Sequence, residues 1–210
     1  MTPLTRAAAQ AAVADLGWRY ILGTLRATVP VTSLAEAATA AAACAGGSPA
    51  TLSIDLRPDR VLLTINDFTT AGVALAGRLT EVLAQLDLAT VPAQTQQIEL
   101  AIDALDIAAV RPFWKAALAY ADTPDGYGAA LIDPLGLSPA VWFQQMDAQR
   151  PQRNRIHIDI SVPHEEAKPR VVAALAAGGH LVTDSHAPAF WVLADPEGNE
   201  ACITTWQGRD

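Results

Sequence analysis

The chain predicts an α+β fold in two parts: helix, two strands, helix, two strands and helix, then a duplicated βαβββ unit. Three observations carry this. Residues 97–210 repeat themselves: Arg111-Pro112 and Ala116-Ala117-Leu118 return, identically spaced, as Lys168-Pro169 and Ala173-Ala174-Leu175. Two strand-like runs alternate apolar with polar residues, the period-two signature of a half-buried strand. A Ser33-Leu34-Ala35-Glu36 capping box opens a helix amid such runs.

The N-terminal elements follow from local chemistry. Ala7–Asp15 is a short alanine-rich helix. Trp18–Leu22 and Leu25–Val31 form a hairpin around Gly23-Thr24. In the capping box, the serine hydroxyl and the glutamate carboxylate are expected to satisfy the first free amides of a helix that runs to about Cys44 and stops at Gly46-Gly47. Thr51–Leu56 alternates Leu52, Ile54 and Leu56 with polar residues, and Val61–Ile65 follows a turn at Pro58-Asp59. A helix over Ala71–Leu86 places Val73, Ala76, Leu79, Val82, Leu83 and Leu86 on one face. Ala89–Gln96, with Pro92, reads as the linker.

In the C-terminal part, Ile98, Leu100 and Ile102 face one side of the first strand, and Glu99, Ala101 and Asp103 the other. In the second copy Ile156, Ile158, Ile160 and Val162 oppose His157, Asp159 and Ser161. Helices are predicted over Val110–Ala119 and Ala167–Ala177, with Pro112 and Pro169 near the first turn, where a missing amide costs little. Gly128–Ile132, Ala140–Met146, Leu181–Asp184, Phe190–Ala194 and Glu200–Trp206 supply five of the six remaining strands. One face of the sheet is then covered by helices and the other is free to curve around a cavity.

Composition excludes several classes. Hydrophobic residues make up 51% of the 210 and charged ones 17%, enough apolar content for a packed core. No apolar run approaches a membrane span or a secretory signal, so no membrane partner is expected. A net charge of −8 without a basic stripe argues against nucleic acid. Cys44 and Cys202 lie far apart and fit a reducing, cytoplasmic setting. All four histidines, His157, His164, His180 and His186, fall in the last third, so imidazole chemistry belongs there.

Gly17-Trp18, Leu25, the Ser33–Cys44 helix, Ile54-Asp55-Leu56-Arg57, Arg60-Val61 and Val73-Ala74-Leu75-Ala76 together resemble the pterin-4a-carbinolamine dehydratase family over residues 4–86. The resemblance implies a dehydratase-like domain over residues 1–88. That family works through His-His-Pro and Thr-His-Asp segments, and the matching stretches here read Gly47-Ser48-Pro49 and Ile65-Asn66-Asp67. Glycine and serine cannot exchange protons near neutral pH as the dehydration requires. Asp55 and Asp67 are the remaining candidates, against an ordinary role as turn aspartates. The expectation is a retained fold without its 4a-hydroxytetrahydrobiopterin dehydratase activity, serving dimerisation, ligand sensing or as a lid.

The paired βαβββ units, the Phe113-Trp114 helix, the Asn154-Arg155-Ile156-His157-Ile158-Asp159 strand and the Ala194-Asp195-Pro196-Glu197-Gly198-Asn199-Glu200 turn resemble the vicinal oxygen chelate superfamily, in its glyoxalase-like branch related to bleomycin-resistance proteins. This covers residues 97–210. It implies metal ligands on the first and last strands of each unit: Glu99, His157 and Glu200, with the poor ligand Ser138 in the fourth place. One histidine and two carboxylates suit iron, manganese, nickel, cobalt or zinc. Glu200 and Glu99 are then also the candidate catalytic carboxylates, either acting as base.

Each has a plainer reading: Glu99 as a solvated charge, His157 as a hydrogen-bonded strand histidine, Glu200 as the residue after a turn. Trp142, Trp191 and Trp206 are expected to line or underpin the cavity with Phe143, Gln144 and Asp159 to supply polar contacts, and His186 to reach its mouth. Two functions stay open for this part: a metal-dependent lyase, isomerase, dioxygenase or group-transfer enzyme acting on a small oxygen-rich molecule, or a metal-free protein that sequesters an aromatic or cationic one. A homodimer is the expected assembly.

Overall fold

The computed structural model describes residues 4–46, 51–92, 95–123, 130–148 and 157–208. The chain divides into two compact units, Met1–Gln97 and Ile98–Asp210. Among the described residues no helix is long and apolar enough to cross a membrane. Gly47-Ser48-Pro49, Gly128 and Asn154-Arg155-Ile156 lie outside the described residues.

The first unit runs α1 (Arg6–Ala14), β1 (Arg19–Ile21), β2 (Thr24–Pro30), α2 (Leu34–Ala45), β3 (Leu52–Arg57), β4 (Arg60–Ile65) and α3 (Thr70–Ala84). Its antiparallel sheet has the order β1-β2-β4-β3. Alternation along β2 and β4 sends Leu25, Ala27, Val29, Val61, Leu63 and Ile65 into the core with Val13, Trp18, Leu79 and Leu83 from the helical side. Trp18 is fully buried, and its indole N–H donates to Thr80 Oγ1 at 3.0 Å, which satisfies its one polar atom.

Two details of this unit differ from the sequence expectation. Ser33 caps α2 by accepting from the Glu36 amide at 3.2 Å, but the Glu36 carboxylate accepts from the amide and hydroxyl of Thr32, at 2.6 and 2.7 Å, not from Ser33. These bonds, the amide's first, hold the Glu36 carboxyl below its ordinary range. The stretch read as a linker is tied down. The Val91 amide donates to the Thr28 carbonyl at 2.8 Å, and the Thr28 and Thr95 hydroxyls lie 3.0 Å apart. Strand β1 begins at Arg19, opposite Arg26, so β2 beyond Arg26 presents open backbone groups on that edge, which this segment fills at Thr28.

The second unit runs β5 (Glu99–Ala104), α4 (Ile107–Leu118), β6 (Ala121–Asp122), β7 (Leu131–Ile132), β8 (Ala140–Gln145), β9 (Ile158–Ser161), α5 (His164–Ala176), β10 (His180–Thr183), β11 (Phe190–Ala194) and β12 (Glu200–Thr204). It forms two sheets of the same design, β5-β8-β7-β6 and β10-β11-β12-β9. In each, the first strand pairs in parallel with the last, and the other neighbours are antiparallel. The sequence repeat is thus a structural repeat, with β6 as the strand the pattern did not reveal. Both helices start three residues before their predicted positions. Pro112 and Pro169 each stand sixth in their helix rather than in the first turn. Each therefore removes one helical hydrogen bond, at the same place in both copies.

One core serves both halves, built on Ile102, Val110, Phe113, Trp114, Leu131, Val141, Leu193 and Ile203. A buried polar lock joins the copies within it. The Trp114 indole N–H donates to Asp195 Oδ2 at 2.9 Å, and Asp195 has no exposed surface. The same carboxylate accepts from the amides of Glu197 and Asn199, both at 2.9 Å, and from the Asn199 side chain at 2.8 Å. The Glu197 carboxylate then accepts from the amides of Leu105 and Asp106, at 2.8 and 2.6 Å, where β5 gives way to α4. Arg170 donates to the Ala117 carbonyl at 3.1 Å. Gly179 packs so near Phe113 that a β-carbon there would lie 2.2 Å from its ring, so only glycine fits.

Replacing Asp195 with alanine leaves a buried indole N–H and two turn amides without their acceptor. At roughly 1–3 kcal/mol for each buried donor left unsatisfied, the expected loss is at least about 3 kcal/mol in urea unfolding of the full chain. A loss below about 1 kcal/mol, within the range of surface substitutions and small defects, overturns the lock as a stabilising element.

Candidate metal and ligand face

The strands of the second unit expose a chemically mixed face because their apolar alternates are already committed to the core. Leu100, Ile102 and Ala104 of β5, Val141 and Phe143 of β8, Ile158 and Ile160 of β9, and Ala201 and Ile203 of β12 pack inward. Strand parity therefore places Glu99, Ala101 and Asp103, then Trp142 and Gln144, on the opposite face of the first sheet. On the second sheet it places His157, Asp159 and Ser161 beside Glu200, Cys202 and Thr204.

The register of the parallel pair β9–β12 fixes which of these meet. Asp159 stands opposite Cys202 and Ser161 opposite Thr204, and their hydroxyls lie 2.9 Å apart. His157 and Glu200 each precede the Ile158–Ala201 pair by one residue. His157 Nδ1 lies 3.2 Å from Asp159 Oδ1 and 3.6 Å from Cys202 Sγ. Single ligand atoms of His157, Asp159 and Cys202 all lie within 4.8 Å of one another. The imidazole and the carboxylate are about half exposed, at 56% and 58%, whereas Cys202 is 6% exposed. The thiol is pushed up to about 11, first by burial, then by its hydrogen bond to Asp159 and by the negative charges of Asp159 and Glu200.

Residues 99–204 match the family model described as a glyoxalase-like domain. The chain belongs to the glyoxalase-like domain family. No curated protein matches it at a significant level. Among solved structures, a glyoxalase-related enzyme from Fulvimarina pelagi is 19% identical, with 53% of this chain and 88% of that one covered and a TM-score of 0.39. A glyoxalase/bleomycin resistance protein/dioxygenase family enzyme from Burkholderia phytofirmans PsJN is 18% identical, covering 51% and 95%, with a TM-score of 0.42. The fosfomycin resistance protein FosX from Listeria monocytogenes, solved with Mn(II) and a sulfate ion, is 10% identical, covering 53% and 90%, with a TM-score of 0.42.

Within the glyoxalase-like domain, the residues singled out from sequence divide clearly. His157 and Glu200 each stand one residue before the paired residues Ile158 and Ala201 of β9 and β12. Glu99 occupies the position on β5 that His157 occupies relative to β9, but neither it nor Glu200 belongs to the close group around His157. The place in the first copy equivalent to Glu200 is Ala140, opposite Glu99, rather than Ser138. Ser138 instead donates its amide to Asp133 at 3.0 Å, as part of a turn. Asp133 matches Asp195 of the second copy. Slight burial pushes its carboxyl up, and the amides of Leu135, Leu137 and Ser138 outweigh that and hold it low.

Trp142 and Gln144 do sit on the open face, Trp142 at 37% exposure. Trp191 does not: it stands opposite the buried Ile203 and packs on the helix-covered core, so it underpins the face rather than lining it. Trp206 is 63% exposed beyond the end of β12, and its ring meets His164 edge-on at 5.5 Å. His186 stacks on Phe190 at 4.8 Å, and His180 pairs with Ala194 in β10. The residue that sequence reasoning missed is Cys202. It shares strand parity with Glu200, two positions away, and that was the available signal.

Because a thiolate is disfavoured by nearby carboxylates, removing one must lower the thiol's titration midpoint. In a Cys44→Ala background, ultraviolet titration of thiolate absorbance should place Cys202 near 11. Asp159→Asn should move it down toward 9.0, the value of an ordinary thiol. An unchanged midpoint overturns the assigned contact.

Proposed function

We propose that the glyoxalase-like domain is a divalent-metal-dependent enzyme of lyase, isomerase or dioxygenase type, acting on a small oxygen-rich molecule. The observation that carries this reading is the half-exposed His157, 3.2 Å from Asp159, with Asp159 opposite Cys202 on the paired strand β12 and Glu200 at the start of that strand. The donors present fit such an ion: an imidazole nitrogen and carboxylate oxygens are its ordinary ligands. Glu99, His157 and Glu200 are the residues proposed to hold it. When bound, such an ion polarises a substrate oxygen as a Lewis acid. The chain's own groups would do the rest. Glu200 or Glu99 would accept a proton at its carboxylate, Trp142 would cover an apolar part of the substrate, and Gln144 would donate to it.

Protein prepared without a histidine tag should carry about one equivalent of metal by elemental analysis, lost in His157→Ala and in Glu200→Ala. Metal-free protein that takes up no manganese, iron, nickel, cobalt or zinc overturns the reading and favours a sequestering protein, with the exposed Trp142 on an acidic face as its binding surface.

For residues 1–88 we propose a pterin-dehydratase-like domain without dehydratase activity, which with residues 97–210 makes a two-domain cytoplasmic homodimer. The order of helices and strands and the single antiparallel sheet support it. The two carboxylates available to replace the missing histidines have other partners. Asp55 pairs with Arg57 at 3.1 Å, and Asp67 accepts from the Thr69 amide at 2.8 Å, at the start of α3. The full chain should show no carbinolamine dehydration above the uncatalysed rate in a stopped-flow assay. Turnover abolished by Asp67→Ala would refute this.

A further inference from the structure

Among the described residues, the close gathering of metal-type donors in the second unit differs from the one the family resemblance implies, and it contains sulfur. His157 Nδ1 stands at 3.2 Å from a carboxylate oxygen of Asp159 and 3.6 Å from the sulfur of Cys202. Ligands to zinc sit about 2.0–2.2 Å away for nitrogen and oxygen and about 2.3 Å for sulfur, in tetrahedral array. Adjacent ligand atoms on such a tetrahedron are then about 3.3–3.7 Å apart. The 3.6 Å spacing falls in this range and the 3.2 Å spacing lies just below it, before any ion is considered. They come from the backbone: β9 and β12 run in parallel with Asp159 opposite Cys202, and His157 directly precedes β9, two residues before Asp159.

We propose that Cys202 and Asp159 join His157 as ligands of this domain's divalent ion, making a nitrogen–oxygen–sulfur site that takes zinc or cobalt in preference to manganese or magnesium. This rests on the reading that the domain holds a metal ion, and it specifies which ion. Thiolate is a soft donor that selects zinc and similar ions, while manganese and magnesium favour sites made of oxygen. A thiol that coordinates is deprotonated, so one proton leaves Cys202 for solvent as the metal–sulfur bond forms. Glu200 lies outside this close group, and the half-exposed side of the imidazole and Asp159 leaves room for a substrate oxygen.

The test uses the full chain with Cys44→Ala, so that Cys202 is the only thiol. The metal-free protein is titrated with Co(II) and followed by absorbance. One equivalent should produce a thiolate-to-cobalt charge-transfer band in the near ultraviolet. Zinc should displace the cobalt and equimolar manganese should not. Cys202→Ser should remove the band and weaken cobalt binding by at least about tenfold, the lower bound for losing even an outer partner of a metal site. Asp159→Asn should weaken binding and keep the band.

Stoichiometric cobalt binding without the band shows that sulfur is not a ligand; it overturns this proposal and leaves the metal-dependent reading standing. No stoichiometric binding of cobalt, zinc or manganese overturns both. Should Cys202→Ser fail to fold, the band of the parent and the effect of Asp159→Asn, at an exposed position, still decide the matter.

Discussion

The second unit depends on one buried carboxylate. Asp195 has no exposed surface and receives an indole N–H from the first copy together with two amides and a side-chain amide from its own turn. A buried charge is tolerable only when its lone pairs are occupied in this way. The arrangement is also directional: it fixes the Asp195–Asn199 turn, and that turn launches β12 at Glu200. Strand parity then sets Glu200 and Cys202 on the open face and Ala201 and Ile203 in the core. The placement of the candidate ligands thus descends from a contact on the other side of the sheet.

The same constraint separates the two copies. Asp133 holds the corresponding turn of the first copy through the amides of Leu135, Leu137 and Ser138, but it is only partly buried, where Asp195 is fully buried. No indole reaches it among the described contacts. Ala140 follows where the second copy has Glu200, and a methyl group offers a metal nothing. Duplication has therefore produced one scaffold twice and one donor-rich face, on β9 and β12. The first copy adds Glu99, Trp142 and Gln144 on its own open face, a composition suited to contacting a ligand.

Much of this was legible in the chain. The repeat, the period-two strands and the turn motif depend on neighbours in sequence, so βαβββ pairing and the polarity of each strand face could be read directly. So could the helix and strand order of the first unit. Strand β6 could not, because Ala121–Asp122 is too short to show a period. Whether Trp191 lines or underpins the cavity stayed open because aromatic residues suit both faces of a strand, and only its pairing with Ile203 assigns it to the core. The segment around Val91 looked like a linker because its partner, the open end of β2, is distant in sequence.

The sequence by itself determined the two-part α+β organisation, the duplicated unit, the confinement of histidine to the second unit and the family resemblance of residues 97–210. Each rests on local patterns of polarity and on spacing. Tertiary structure alone decided that Cys202, an isolated cysteine in the chain, stands opposite Asp159 and within reach of His157. It likewise decided that Ala140, and not Ser138, mirrors Glu200. The physical reason is register: the pairing of β9 with β12, and of β5 with β8, is settled by how helices and turns pack across the whole unit, and no residue near either strand encodes it.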